Sequence, residues 1–549
     1  MIRRLLRKAA KVFWLMPGFL LWASFPPMGE MADCLFALAP LLWLSRNGET
    51  KTVVRRWFAN GFLFWFATLS WMPAIVKNGG PWPLVVLGWG ALSAYCAAYF
   101  AAFGYLSSKA WRLAKARGGY GWRLAALLVA EPVLWAGLEI VRSRLFGGFA
   151  WNQLGVVPAA GGFGAPAALG GVYMLSVVVV LINGTVASIA ERMAAPWMRG
   201  RRRVLKLPGG EVEAMDELPA PREPPRWARS VETLLPFAMI WGLYHVSSGV
   251  VATDAGGEGG ELRVAMVQRN FPCVFRGGGD DASEAYGRLL ANVSPMAPEL
   301  LVLPESAFCE VGRFGTANAV RFASWLCERS GARAVLAGGS RNDGGAEYNS
   351  AALYESGVDG MQVYDKVHLV PFGEFIPGDK WITALQRLAP VGSCTPGSLK
   401  TLDFGGRRLG VAICFEDTDS AQIRRLAAMG AHALVFITND SWFSHSDEAV
   451  QHAWQSVARA VETGLPVVRV GNSGVTGTIT PRGRASWLVD ARGMPLVDRC
   501  GTMFDRVALP ARGATPYVRL GDAPLFTAFL ALVAALALAS RKRTSLWVG

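Results

Sequence analysis

A polytopic α-helical membrane domain of about eight spans, joined to an extramembrane α/β domain, is the architecture this sequence predicts. Three observations predict it. Of 549 residues, 52% are hydrophobic and only 17% charged, where soluble globular chains carry roughly a quarter. Apolar runs of spanning length recur through the first 252 residues and once more near the end. From residue 262 onward, short β-rich runs alternate with helical patterns.

Taken in order, two short apolar runs come first, 12–25 and 34–45, separated by "PPMGEMAD". Each is short for a full crossing, so they read as two thin spans or as one re-entrant hairpin. Either option returns the chain to the same side. The basic start also resembles a signal peptide, but no small-x-small site follows and the apolar pattern continues, so it is expected to be retained. Runs of spanning length follow at 57–76, 83–107, 122–142, 164–190, 231–252 and 524–540. Within them, Glu139 and Arg142 lie three apart on one helix face and are expected to pair near the outer surface. "GGFGAPAALGG" (161–171) lacks the Gly-Lys-Ser/Thr ending of a phosphate loop and reads as small residues for close helix packing.

Basic residues decide orientation. Arg3, Arg4, Arg7, Lys8 and Lys11 precede the first run, and Arg46, Lys51, Arg55 and Arg56 follow the second. Lys109, Arg112, Lys115 and Arg117 form a third group, with "RGRRR" (199–203) and "SRKRT" (540–544) beyond. The alternate loops hold only Lys77 and Arg144. By the positive-inside rule, both termini and the basic loops are cytoplasmic and the α/β segment is outside. The net charge of +14 is spread over these short loops and not over one folded face, so no nucleic-acid partner is expected. The expected boundaries are 1–252 for a membrane domain of seven spans with a basic, proline-rich cytoplasmic loop at 193–230, then 253–523 for the α/β domain. Residues 524–549 form a last span and tail.

In the α/β segment the β-rich runs are 262–268, 300–305, 333–340, 350–355, 409–415, 432–438, 465–472 and 474–480. Helical patterns lie near 281–296, 315–330, 418–430 and 447–464. Of the eight cysteines, six fall after residue 270, with no C-x-x-C pair and no zinc spacing. Their pairing is open. His368, His432, His445 and His452 show no ligand spacing either, so no metal or cofactor is expected.

Three strand ends carry reactive side chains, where open α/β sheets place their sites. Glu305 follows Pro304 in "LVLPES" and is either a solvated loop acid or a base. Lys366 and Glu374 share the apolar, proline-bearing stretch "YDKVHLVPFGEFIP", where unpaired buried charges are costly. Cys414 ends "LGVAIC" and is followed by Phe415, Glu416 and Asp417. A cysteine behind an apolar strand is commonly structural; as a nucleophile it needs a base and a positive charge nearby, and Glu305 and Lys366 supply both.

Glu in "LPES", Lys in "YDKVHLVPFGEF" and Cys in "AICFED", in that order, resemble the Glu-Lys-Cys triad of the nitrilase superfamily. With "LEIVRS", "FAWNQLG", "NDSWF", "VQHAWQSVARAVETGLPVVRVGNSGVTGTITPRG" and "TPYVRLGDAP", nearly the whole chain resembles the apolipoprotein N-acyltransferase family. That resemblance implies a nitrilase-like α-β-β-α sandwich in the inner membrane's periplasmic compartment and a monomer. It implies a phospholipid acyl donor and, as acceptor, an apolipoprotein with a lipid-modified N-terminal cysteine. Glu305 would be the general base, Lys366 the oxyanion cation and Cys414 the nucleophile. Glu374 would be a second essential carboxylate and Glu416 a support behind the nucleophile. The pattern departs at Phe415, where the family usually has Tyr, at a missing Trp after "VQ…P" (Phe275 is the nearest aromatic), and in the longer 193–230 loop. Phe372, Phe375, Trp442 and Phe443 are expected either to line the substrate path or to pack the core, with His452 near the site. Two other readings stand beside this one: a membrane-tethered amidase using water, and a transporter with an external binding domain.

Overall fold

The computed structural model describes residues 14–199, 226–251, 259–271, 282–376, 394–510 and 515–544. The Arg3–Lys11 group, most of the 193–230 loop and Phe275 lie outside the described residues.

Helices α1 (Met16–Ala23), α2 (Ala39–Asn47), α3 (Thr50–Thr68), α4 (Trp82–Arg117), α5 (Tyr120–Arg142), α6 (Val172–Arg199) and α7 (Arg226–Val250) build the first part. Among the described residues, Thr50–Asn78, Trp82–Arg117, Tyr120–Arg142 and Val172–Ala194 are long and apolar enough to cross a membrane. At 1.5 Å per residue, α1 and α2 are each under about 14 Å long, less than half of a ~30 Å hydrocarbon core. Their connecting turn reaches the α/β unit, where Gln451 Nε2 donates to the Pro26 carbonyl at 3.1 Å. The far end of α2 sits among α4, α5 and α6.

That far end corrects one expectation. Arg46 is not a loop charge: it and Glu131 are fully buried, 2.8 Å apart. Arg46 also donates to Ser188 Oγ and the Gly184 carbonyl, and Glu131 accepts from Trp111 Nε1 and Ser107 Oγ. Removing one partner of a buried pair strands the other charge, at a cost of about 3–5 kcal/mol. Arg46→Met is therefore expected to lower the thermal midpoint of the detergent-solubilised protein sharply. The double variant Arg46→Met/Glu131→Leu should recover most of the loss; a double variant as unstable as the single one contradicts this account.

Glu139 and Arg142 do not pair with each other. Glu139 Oε1 accepts from the Leu154 amide at 2.8 Å, and Arg142 Nη1 donates to the carbonyls of Phe149 and Trp151 at 2.8 and 2.9 Å. The irregular segment 149–154 has backbone groups that need partners in a buried setting, and these two side chains supply them. The span expected at 164–190 starts only at Val172, because Gly162 and Gly171 adopt φ of 86° and 71° and break the helix. A Cβ on Gly171 would stand 2.8 Å from Tyr517. The small residues do allow close packing, against Met31 and Met174 of the helical part at Gly161 and Gly170 and against the α/β unit at Gly164 and Gly171.

In the α/β unit one sheet contains β1 (Glu261–Gln268), β2 (Leu300–Val302), β3 (Ala334–Asp343), β4 (Ala346–Glu355) and β5 (Gln362–Asp365). The second contains β6 (Thr401–Phe404), β7 (Arg407–Ile413), β8 (Ala433–Thr438), β9 (Val467–Gly471), β10 (Gly477–Ile479) and β11 (Ala485–Trp487). β12 (Gly501–Ala508) closes the first sheet, giving the orders β12-β1-β2-β3-β4-β5 and β11-β10-β9-β8-β7-β6. Strand alternation explains the layers. Val264 and Met266 of β1 meet Val411, Ile413, Val435 and Ile437 between the sheets, while Ala265 and Val267 face α8 (Ala282–Leu290) and α9 (Ala317–Ser330) outside. Across the other sheet, α10 (Ser420–Ala428) and α11 (Glu448–Thr463) cover Ala412, Leu434 and Phe436. This is the expected α-β-β-α sandwich. The strands β5, β6, β11 and β12 escaped the sequence pattern: the first three have four residues or fewer, and β12 carries Asp505 and Arg506 on a sheet edge.

Fourteen of the sixteen residues of α11 are buried, so it is covered on both sides. Val457 and Ala460 pack on the second sheet, while Ala458 and Val461 join the core of the helical bundle.

Candidate active site

Glu305, Lys366 and Cys414 stand at the carboxyl ends of β2, β5 and β7, along the seam between the sheets. Pro304 ends β2, and Gly338 of β3 lets the Glu305 backbone approach: a Cβ there would lie 2.5 Å from Glu305 Cα. Cys414 has φ of +54°, a left-handed conformation that costs a non-glycine residue on the order of 1–3 kcal/mol and must be held by its surroundings.

Glu416 holds it. Its carboxylate accepts from the Ile413 amide at 2.8 Å, from Val367 and His368 amides at 2.7 and 3.0 Å, and from the Tyr364 hydroxyl at 3.0 Å. One buried acid thus ties the Cys414 turn to the loop that carries Lys366. Lys366 Nζ lies 3.0 Å from Glu374 and 3.8 Å from Glu305 Oε1. Asn349 Nδ2 bridges the two acids, at 2.7 Å from Glu305 and 2.6 Å from Glu374.

The electrostatics follow from this packing. Burial works against the Lys366 charge, but Glu374, Glu305 and Cys414 outweigh it and hold the ammonium on. Burial raises Glu305 above the usual carboxylate range, partly offset by Lys366. Burial and the Glu305 charge push the Cys414 thiol well up, with Lys366 and the Thr438 hydroxyl opposing. The resting thiol is protonated, so attack requires a base within reach.

The other expected residues separate. Phe415 stacks on Phe149 and Trp151 at centroid distances of 6.2 and 6.3 Å and meets His368 edge-on. The "FAWNQLG" stretch of the helical part therefore touches the residue next to Cys414. Phe443 packs edge-on against Trp71 at 4.7 Å, and Asn78 Nδ2 donates to the Trp442 carbonyl at 2.8 Å. Phe372 is 65% exposed at φ +61°, in the loop that also holds half-buried Phe375. His452 lines nothing: it is 1% exposed.

His452 instead sits in a buried polar network that the sequence reading missed. Its Nε2 lies 2.9 Å from Asp417 Oδ1 and its Nδ1 3.0 Å from Asp440 Oδ1. Arg469 donates to Asp417 Oδ2 at 2.6 Å, and Ser456 Oγ donates to the same oxygen at 2.6 Å. Asp440, Glu448 and His452 bring ligand atoms within 4.8 Å of one another, and both His452 nitrogens lie against carboxylate oxygens. Burial alone would lower the His452 pKa, but Asp417 and Asp440 outweigh it and hold it at about 10. Burial and Asp440 push Glu448 well up, so it stays neutral and two anions face two cations.

Because the folded pKa of His452 exceeds its ordinary value of 6.5, its stabilisation is complete below 6.5 and is lost as pH rises toward about 10. The thermal midpoint is expected to fall across that window, and less steeply in His452→Gln. Parallel pH slopes in the two proteins would refute the assignment.

The family model described as apolipoprotein N-acyltransferase N-terminal domain matches residues 17–185, and the one described as carbon-nitrogen hydrolase matches residues 263–502. An apolipoprotein N-acyltransferase of Geobacter metallireducens is 30% identical over 96% of this chain and 94% of its own length. One from Ralstonia nicotianae is 29% identical over 93% of this chain and 89% of its own. Among solved structures, an amidase from Nesterenkonia sp. aligns with 51% of this chain and 98% of its own at 20% identity, with a TM-score of 0.35.

Proposed function

This chain belongs to the apolipoprotein N-acyltransferase family, and from that premise we propose that Glu305, Lys366 and Cys414 carry out its acyl transfer. The chain is an N-acyltransferase of lipoprotein maturation, with a lipoprotein acceptor and a phospholipid donor. The observation that carries the catalytic assignment is the convergence of one base, one buried ammonium and one strained cysteine at the ends of three strands.

Glu305 takes the proton of Cys414, and the thiolate attacks an ester carbonyl of the phospholipid. Lys366 and the Phe415 amide face the oxyanion, each such donor contributing on the order of 3 kcal/mol to transition-state stability. Collapse breaks the ester C–O bond, and the lysophospholipid oxygen leaves with the proton held by Glu305. A thioester remains. The α-amine of the acceptor's diacylglyceryl-cysteine then attacks the thioester carbonyl, Glu305 removes the amine proton, and the thiolate is released as the amide forms.

The packing suits lipid substrates. Phe415 lies against Phe149 and Trp151 of the helical bundle. Below that segment an apolar crevice runs between Phe25, Phe64, Phe100 and Trp135, with Glu139, Arg142 and Asn152 also in its wall. Charge distribution supports an inner-membrane protein with cytoplasmic termini and residues 253–523 in the periplasm. All three catalytic groups come from one chain, so a monomer suffices. Exposed Phe372 and partly buried Phe443 are assigned to the path by which lipids enter.

The test is intact-protein and peptide mass spectrometry after incubation with phospholipid. A hydroxylamine-labile acyl adduct on the Cys414 peptide is expected, discharged by a diacylglyceryl-cysteine peptide but only slowly by water. No adduct in protein that still acylates the peptide would overturn the covalent route, and rapid discharge by water alone would favour an amidase-like hydrolase.

A further inference from the structure

The strain at Cys414 requires support from more than one side, and Glu416 accounts for only one. The turn 414–418 also carries Asp417, whose carboxylate bonds into the buried network on α11. Asp417 and Asp440 are separated in sequence by α10 and β8, yet the two ring nitrogens of His452 bridge them at 2.9 and 3.0 Å. Both carboxylates have other donors: Arg469 and Ser456 on Asp417, and the Thr438 hydroxyl on Asp440 at 2.7 Å. A ring nitrogen this close to a carboxylate oxygen donates to it, so His452 carries both protons and a positive charge.

The parallel pairing Ile413↔Ile437 sets Thr438 beside Cys414 at the strand ends. Asp440, two residues on, bears electrostatically on the thiol. The titratable groups that bear on Cys414 are then Glu305, Lys366 and Asp440; around His452 stand Asp417, Asp440 and Arg469, all charged, and the neutral Glu448. Trp151 of the helical part lies on the His452 ring at 5.4 Å.

We propose that His452 is a positioning residue for the acyl transfer: its imidazolium ties the nucleophile's turn to the loop after β8 and screens Cys414 from the carboxylate of Asp440. The proposal rests on Cys414 being the nucleophile. It assigns His452 no contact with substrate. Without the imidazolium, Asp417 and Asp440 repel across the gap it filled, the turn loses its second anchor, and Asp440 acts unscreened on the thiol.

The experiment compares wild type with His452→Gln, Asp440→Asn and the double variant, each first checked for folding by size exclusion and thermal melting. Two quantities are measured: the pH dependence of Cys414 alkylation by iodoacetamide, and kcat and KM for acyl-enzyme formation from phospholipid. In His452→Gln the alkylation profile should move to higher pH by about one unit, a roughly tenfold loss of thiolate at a given pH. The kcat should fall at least as far, with KM changed less than about twofold. Asp440→Asn should move the profile the opposite way, and the double variant should return it toward wild type. A folded His452→Gln with the wild-type profile and kcat overturns the proposal. So does a fall in kcat with an unmoved profile, which marks a purely structural residue. Should His452→Gln fail to fold, Asp440→Asn decides alone: an unshifted profile refutes the screen. Failure of the catalytic assignment is visible separately, as wild-type protein that alkylates at Cys414 and yet forms no thioester there.

Discussion

Cys414→Ala abolishes acyl-enzyme formation and turnover, and Cys414→Ser leaves activity lower by a factor of roughly a thousand or more: these are the largest effects expected from any single substitution. Loss of a covalent nucleophile in other hydrolases removes several orders of magnitude in rate. Serine preserves the size and the donor, and the turn at φ +54° is held by Glu416 and not by sulfur. What serine lacks is acidity. Burial already pushes the thiol well above its usual range, and a hydroxyl in the same place is harder still to ionise with a carboxylate base. Both variants should melt close to wild type. The readout is the acyl adduct by mass spectrometry together with peptide acylation. An adduct retained in the alanine variant, at any other residue, would remove Cys414 from the reaction.

Lys366→Met carries the second largest effect. The ammonium faces both Glu305 and Glu374 with 1% of its side chain exposed, and methionine keeps most of its unbranched length without the charge. Loss of one oxyanion donor lowers kcat by about a hundred- to a thousandfold. A further loss comes through the base, because Lys366 is what restrains the raised pKa of Glu305. The acid limb of the pH–rate profile should therefore move to higher pH along with the fall in kcat. A loss under tenfold with the limb unmoved would show that the oxyanion is held by backbone donors alone. Glu374→Gln offers the contrast: its single amide oxygen can accept from Asn349 or from the Val370 amide but not from both, and it lifts one counter-charge while leaving the ammonium in place, so its effect should be the milder.

The parts of this site that were readable in the sequence share one property: each is a reactive side chain just past a strand. Glu305, Lys366 and Cys414 could be placed at sheet ends because apolar runs lead into them and prolines or acids follow. Asn349 could not, since it sits at an ordinary alternating position within β4 and its role appears only when Glu305 and Glu374 converge on it. His452 lies 35 residues from Asp417 and 12 from Asp440, spacings that carry no local signal. Glu139 and Arg142 show the reverse error. Their spacing allows a pair, but the unpartnered backbone of 149–154 competes for both and wins. Arg46 was misread for a related reason: a basic residue beside a loop looks solvated until the partner, 85 residues away, is known.

Helix α11 has a consequence for how this enzyme can change. Most buried helices answer to one neighbour, but around residues 457–461 this one answers to two, the second sheet and the helical bundle. Its alanines at 458 and 460 fill gaps set from opposite directions. A catalytic unit transplanted from a water-soluble relative would arrive with the wrong back to this helix, however well its own site were formed. The two halves are free to diverge only in step.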